Sequence, residues 1–141
     1  MNPYIHGITS AKKFGGKPED YQAIHDWFDE PKKTIADFRH RMLRHHAFGI
    51  FEAEEKFGKT ITNSDGKEVP VRLIGEQHVR EDCGGRIPSV QDWVVNVQPK
   101  GWMSRGYNVI DEEYIYSGDP SGGSMKPINK SGKTPKKQEE Q

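Results

Sequence analysis

DYQAIHDWFDEPKKTIADFRHRMLRHHAFGIFEAEEKFG, residues 20–58, reads as two helices divided by a single proline. Lys17-Pro18-Glu19-Asp20 supplies a start, with proline in the first turn and acids where the helix dipole favours them. Tyr21, Ile24, Trp27 and Phe28 follow at helical spacing, and Pro31 stops that run because its ring denies the backbone a donor. From Lys32 to Phe57 there is no proline, and Gly49 is the only glycine. Ile35, Phe38, Met42, Leu43, Ile50 and Phe57 fall in one broad apolar arc, so the spacing predicts one long helix ending at Gly58. Two such helices either side of Pro31 are expected to lie antiparallel.

On either side of this hairpin the pattern changes. Residues 1–17 carry Pro3, Gly7, Gly15 and Gly16 and read as an irregular arm. After Gly58, Thr60 to Thr62 and Val69 to Ile74 flank Asn63-Ser64-Asp65-Gly66, the signature of a β-hairpin, with Pro70 on an edge strand. Glu76 to Asp82 has room for one or two helical turns. Ser89 with Asp92 three residues on is a capping box that opens a short helix, closed by Pro99. Beyond Met103 the composition shifts: Tyr107 to Tyr116 could pair as a strand, and residues 118–141 turn to Gly, Ser, Pro and Lys, a composition that does not build a core. The expected architecture is α+β: an antiparallel helical hairpin, a β-hairpin and a short C-terminal helix at 1–103, then an extended interaction tail at 104–141.

Composition narrows the function. The chain has 141 residues, 21 basic against 21 acidic, and only 32% hydrophobic residues. Zero net charge argues against a nucleic-acid binder. Leu43 and Leu73 are the only leucines, so the core is thin. No apolar run is long enough for a membrane span, and the first residues lack the apolar stretch of a secretory signal, which points to a cytoplasmic or virion-associated protein. Cys83 is the single cysteine, which excludes an internal disulfide and a cysteine-cluster metal site.

The chemistry lies in six histidines: His6, His25, His40, His45, His46 and His78. On a straight helix with Phe38 at zero, His46 falls at about 80°, inside the apolar arc, His45 at about 340° on its edge and His40 at about 200° on the far flank. An inward His46 is by default a neutral core histidine. Its company suggests more: His25 sits on the adjacent helix, and His78 and Asp82 share a face if 76–82 is helical. His25, His46, His78 and Asp82 would make a four-ligand nitrogen–oxygen site for zinc, iron or manganese. His45 with Glu52 is a second arrangement of the same kind. A catalytic version would use Glu76 as a general base beside metal-bound water. No strict metal-binding spacing such as HExxH is present. The basic run Arg39 to Arg44 has acids nearby and reads as a solvated face.

Two strings, RHHxxGIF at 44–51 and IGEQHVxED at 74–82, together with the segments around them, resemble a family of short bacterial and phage proteins known only as a domain of unknown function. The resemblance covers roughly residues 3–103 and brings no activity or ligand set with it. It implies a self-contained module and a phage or mobile-element setting. The leading expectation is a small non-enzymatic accessory protein. It would dock onto a larger assembly, a virion or host complex, through Tyr107, Ile110, Tyr114, Ile115 and Tyr116 of its tail. The alternative is a metal-dependent hydrolase acting on phosphate esters.

Overall fold

A computed structural model of the chain describes residues 2–106. It divides into two units, Met1–Val90 and Gln91–Gln141, each taken by itself. The elements of the first are helices α1 (Pro3–Phe14), α2 (Gln22–Asp29), α3 (Arg41–Arg44), α4 (Ala47–Phe57) and α5 (Val71–Asp82), with strands β1 (Thr60–Thr62) and β2 (Glu68–Pro70). Helix α6 (Val90–Val94) begins at the boundary, and the second unit adds a 3-10 turn at Gly101–Ser104. The class is α+β, as expected. The tail residues Tyr107, Ile110, Tyr114, Ile115 and Tyr116 lie outside the described residues.

The irregular arm is in fact α1. The Asn2 side chain accepts from the Tyr4 amide, Pro3 stands in the first turn, and Lys12 and Lys13 complement the dipole at the far end. Gly7 suggested a break, yet it is a packing residue: a Cβ there would lie 3.0 Å from the Pro18 carbonyl, where α1 crosses the turn at Pro18–Asp20.

The long helix expected over 32–57 is broken. A 3-10 turn at Glu30–Lys33 is followed by a second at Phe38–His40, capped by the Asp37 side chain on the Arg39 amide. Helix α3 then ends at Arg44, and His46 adopts an extended conformation that restarts the chain as α4. Two bonds hold the restart: the Gly49 amide donates to His46 Nδ1, and the Ala47 amide to the Pro88 carbonyl. The supposed apolar arc therefore divides, leaving Phe38 and Leu43 exposed while Ile50 is buried.

The β-hairpin forms as read, with Thr60 opposite Pro70, Ile61 opposite Val69 and Thr62 opposite Glu68. Its second strand is shorter than expected, because Pro70 caps α5 and the chain enters that helix at once. Asn63 anchors the turn. Its Nδ2 donates to the Phe14 carbonyl and Tyr21 Oη, and its Oδ1 accepts from the Asp65 and Lys67 amides. Replacing Asn63 with Ala orphans these buried groups. It is expected to cost about 2–3 kcal/mol, read as a lower urea midpoint at unchanged slope.

Asp20 fastens the same loop from the other side, accepting from the Lys17 amide and from the Ser64 amide and hydroxyl. The Lys17 amide bond and then the two Ser64 bonds hold its carboxyl below the usual value. A depressed carboxylate stabilises the fold above its unfolded pKa and loses that contribution as pH falls. Asp20→Asn should therefore unfold at a lower temperature than the wild type at pH 6, with the gap narrowing as pH drops below about 4.

The apolar core is formed by Tyr21, Ile24 and Phe28 of α2, Ile50 and Ala53 of α4, Val69 of β2, and Val71, Ile74 and Val79 of α5. Helix α5 packs against α1, α2 and α4 and so stands at the centre of the unit. Gly75 lets it approach closely, since a Cβ there would lie 3.1 Å from the Phe28 ring. No helix among the described residues is long and apolar enough to cross a membrane.

Candidate metal centre

All six histidines are buried, with none more than 3% exposed. Histidine is usually only partly buried, and burying imidazole without a partner is costly. In this chain four elements deliver these rings. Helix α1 brings His6, α2 brings His25 and Asp29 four residues apart, the 38–46 segment brings His40 and His45, and α5 brings His78 and Asp82 four residues apart. On each of α2 and α5 the i, i+4 spacing sets imidazole and carboxylate on one face.

His45 Nε2, His78 Nε2, Asp29 Oδ1 and Asp82 Oδ2 crowd around one point. His45 Nε2 is 3.0 Å from Asp82 Oδ2, 3.2 Å from His78 Nε2 and 3.5 Å from Asp29 Oδ1. His78 Nε2 is 3.3 Å from Asp82 Oδ2 and 3.5 Å from Asp29 Oδ1. Two further ring nitrogens stand beside the carboxylates: His40 Nε2 lies 3.3 Å from Asp29 Oδ1, and His6 Nε2 lies 3.4 Å from Asp82 Oδ1.

Hydrogen bonding on the far side of three rings assigns their tautomers. His40 Nδ1 donates to the Asp37 carbonyl at 2.8 Å, and His6 Nδ1 to Glu81 Oε1 at 2.6 Å. For His78 the logic runs through a chain. Gln77 Nε2 donates to the His6 carbonyl, so its oxygen faces Ser10 and takes the Ser10 hydroxyl proton at 2.6 Å. Ser10 must then accept from His25 Nε2 at 2.8 Å, which leaves His25 Nδ1 to accept from His78 Nδ1 at 2.9 Å. In their neutral forms His6, His40 and His78 therefore all turn an Nε2 lone pair toward Asp29 and Asp82. Such outward anchoring of the second ring nitrogen is the common support of a metal-bound histidine.

Electrostatics follow this arrangement. Burial, with the His78 and His6 rings nearby, pushes His25 down to about 2, so it remains neutral and serves as an acceptor. Burial would raise both aspartates, but the hydrogen bond each accepts from His45, with the other imidazoles close by, outweighs it and holds both well below the carboxylate range. Burial works against a proton on His45 too, yet its bonds to Asp29 and Asp82 raise it above the ordinary value. Two buried negative charges thus meet a ring of imidazoles. His6 Nε2 and Asp29 Oδ2 are buried with no hydrogen-bond partner.

Of the expected ligands, His25, His78 and Asp82 lie in this cluster and His46 does not. His25 enters it behind His78 as an acceptor. His46 uses its Nδ1 to cap α4, because the break after Arg44 puts it at a helix start rather than on a helix face. Losing a cap costs about 1 kcal/mol. His46→Ala should lose about that much stability, His46→Asn should recover most of it, and metal content should be the same in both. Glu52 is exposed, and Glu76 pairs with Arg72 on its own helix. His6, Asp29, His40 and His45 were not in the expected set. The His25/Asp29 spacing repeats that of His78/Asp82 and was a readable signal. His6 was hidden by the supposed arm, and His40 and His45 by the supposed straight helix.

Residues 1–103 match the family described as Domain of unknown function (DUF6915). No curated protein and no solved structure matches the chain.

Proposed function

For a chain that belongs to a domain family of unknown function, we propose a divalent-metal-binding role centred on Asp29, His45, His78 and Asp82, with His6 and His40 beside them. One observation carries the reading: the Nε2 atoms of His6, His40 and His78, rings whose protons are engaged at Nδ1, face two carboxylates at 3.3–3.5 Å. Lone pairs repel at that range. A cation about 2.1 Å from each donor would separate neighbouring donors by about 3.0–3.4 Å, the edge of an octahedron or tetrahedron. One divalent ion also balances the two aspartate charges. Nitrogen and oxygen donors of this kind suit zinc, iron or manganese. The ion would tie α1, α2, the 40–46 segment and α5 together in a protein with few apolar side chains, which favours a structural role for it in an accessory protein.

The test is elemental analysis of protein purified without a histidine tag. At least about one equivalent of a transition metal per chain is expected. Less than about 0.2 equivalents, with no uptake of added zinc, manganese or iron, would reject the reading.

A further inference from the structure

The donor atoms outnumber what one ion takes. Four imidazole Nε2 atoms, both oxygens of Asp82 and Oδ1 of Asp29 face the same interior, seven atoms against the four to six donors that a first-row ion uses. The donors also sort by reach. His6, Asp29, His78 and Asp82 offer ligand atoms that all lie within 4.8 Å of one another, and Asp29, His40 and His45 do the same. Asp29 alone belongs to both sets. Its Oδ1 is 3.3 Å from His40 Nε2 and 3.5 Å from both His45 Nε2 and His78 Nε2, so it touches members of each. Its Oδ2 is buried with no hydrogen-bond partner and has only the Lys32 ammonium near it, at 4.0 Å.

We infer that the centre is dinuclear, with Asp29 bridging one divalent ion held by His6, His78 and Asp82 and a second held by His40 and His45. The inference rests on the metal-binding reading above and assigns work to His40 and to the second oxygen of Asp82, which a single ion at the His45–His78 side leaves unused. His40 is buried, locked by the Asp37 carbonyl, and aimed at the bridging oxygen. Asp82 presents Oδ2 to His45 and His78 and Oδ1 to His6, so both of its oxygens face ligands. Charge sets the remaining condition. Two divalent ions exceed the charge of Asp29 and Asp82, and Glu81, hydrogen-bonded to His6, offsets only part of the excess. The filled centre would therefore draw in a small anion, hydroxide in the first instance, to complete the shorter ligand set.

Dialysis of the untagged full chain against manganese(II) alone, followed by metal analysis, is the test. Two equivalents per chain, with the electron paramagnetic resonance spectrum of an exchange-coupled pair, are expected. His40→Asn should halve the ratio to one and replace the coupled spectrum with that of an isolated ion. A wild-type ratio that stops at one overturns the dinuclear inference and leaves the mononuclear reading standing. A ratio of zero overturns the dinuclear inference, and the same result with zinc and iron removes the mononuclear reading as well. Two equivalents retained in His40→Asn would overturn the placement of the second ion. The wild-type ratio decides even if the variant does not fold.

Discussion

Thermal melts of metal-free protein should shift upward by about 15 °C or more on adding zinc or manganese. An ion present at about a thousand times its dissociation constant stabilises the folded state by about 4 kcal/mol, provided the unfolded chain does not bind it. For a domain of this size each kcal/mol is worth about 4–8 °C. His78 is the ring on which the effect depends, since its Nε2 faces both aspartates and its Nδ1 is already committed to His25. His78→Ala will itself be less stable, because it empties a fully buried site stacked on Phe28. The informative quantity is therefore the response of the variant to metal, which should be close to zero. A wild-type melt unmoved by zinc, manganese or iron would count against the centre as a whole.

Gly49→Ala should be among the most damaging single substitutions in the chain. The added methyl would collide with the Arg44 carbonyl, a backbone group that cannot move without unwinding the end of α3. The Gly49 amide is also the donor that seats His46 as the cap of α4. Steric overlap and a displaced cap together are expected to cost about 3 kcal/mol. The displacement passes directly to His45, the neighbour of that cap, so metal affinity should fall with stability. Gly101→Ala is the matching control: nothing lies within 4 Å of the added carbon, and the change should stay within about 0.5 kcal/mol. If the two variants melt alike, the close approach at Gly49 does not matter.

These two substitutions mark where sequence reading reached and where it stopped. Periodicity identified α2, and the turn chemistry of Asn63 to Gly66 identified the hairpin, because both signals are local. Gly49 was visible as the one glycine in a helical run, but its reason is an encounter with a carbonyl five residues back, and that exists only once the helix has broken. A straight-helix projection then sent His40 and His45 to opposite flanks, whereas the break turns both toward Asp29. The i, i+4 pair His78/Asp82 was legible because α5 keeps regular geometry across it. His25/Asp29 obeys the same rule, although His25 ends as a buttress behind His78 and only Asp29 faces the centre. Helix α1 was missed because Pro3 and Gly7 act as a start and a contact point, roles that composition alone reads as an irregular arm.

The rings and carboxylates of the centre come from positions between His6 and Asp82, nearly the whole length of the first unit. No short piece of the chain carries more than a fraction of them, so an unfolded or truncated polypeptide would hold the proposed ion far more weakly than the folded unit. Affinity for the ion and integrity of the fold then become one measurable quantity. A chelator should behave as a denaturant, and a cavity mutation at Ile74 or Phe28 should register as weakened metal retention although neither residue offers an atom to the ion.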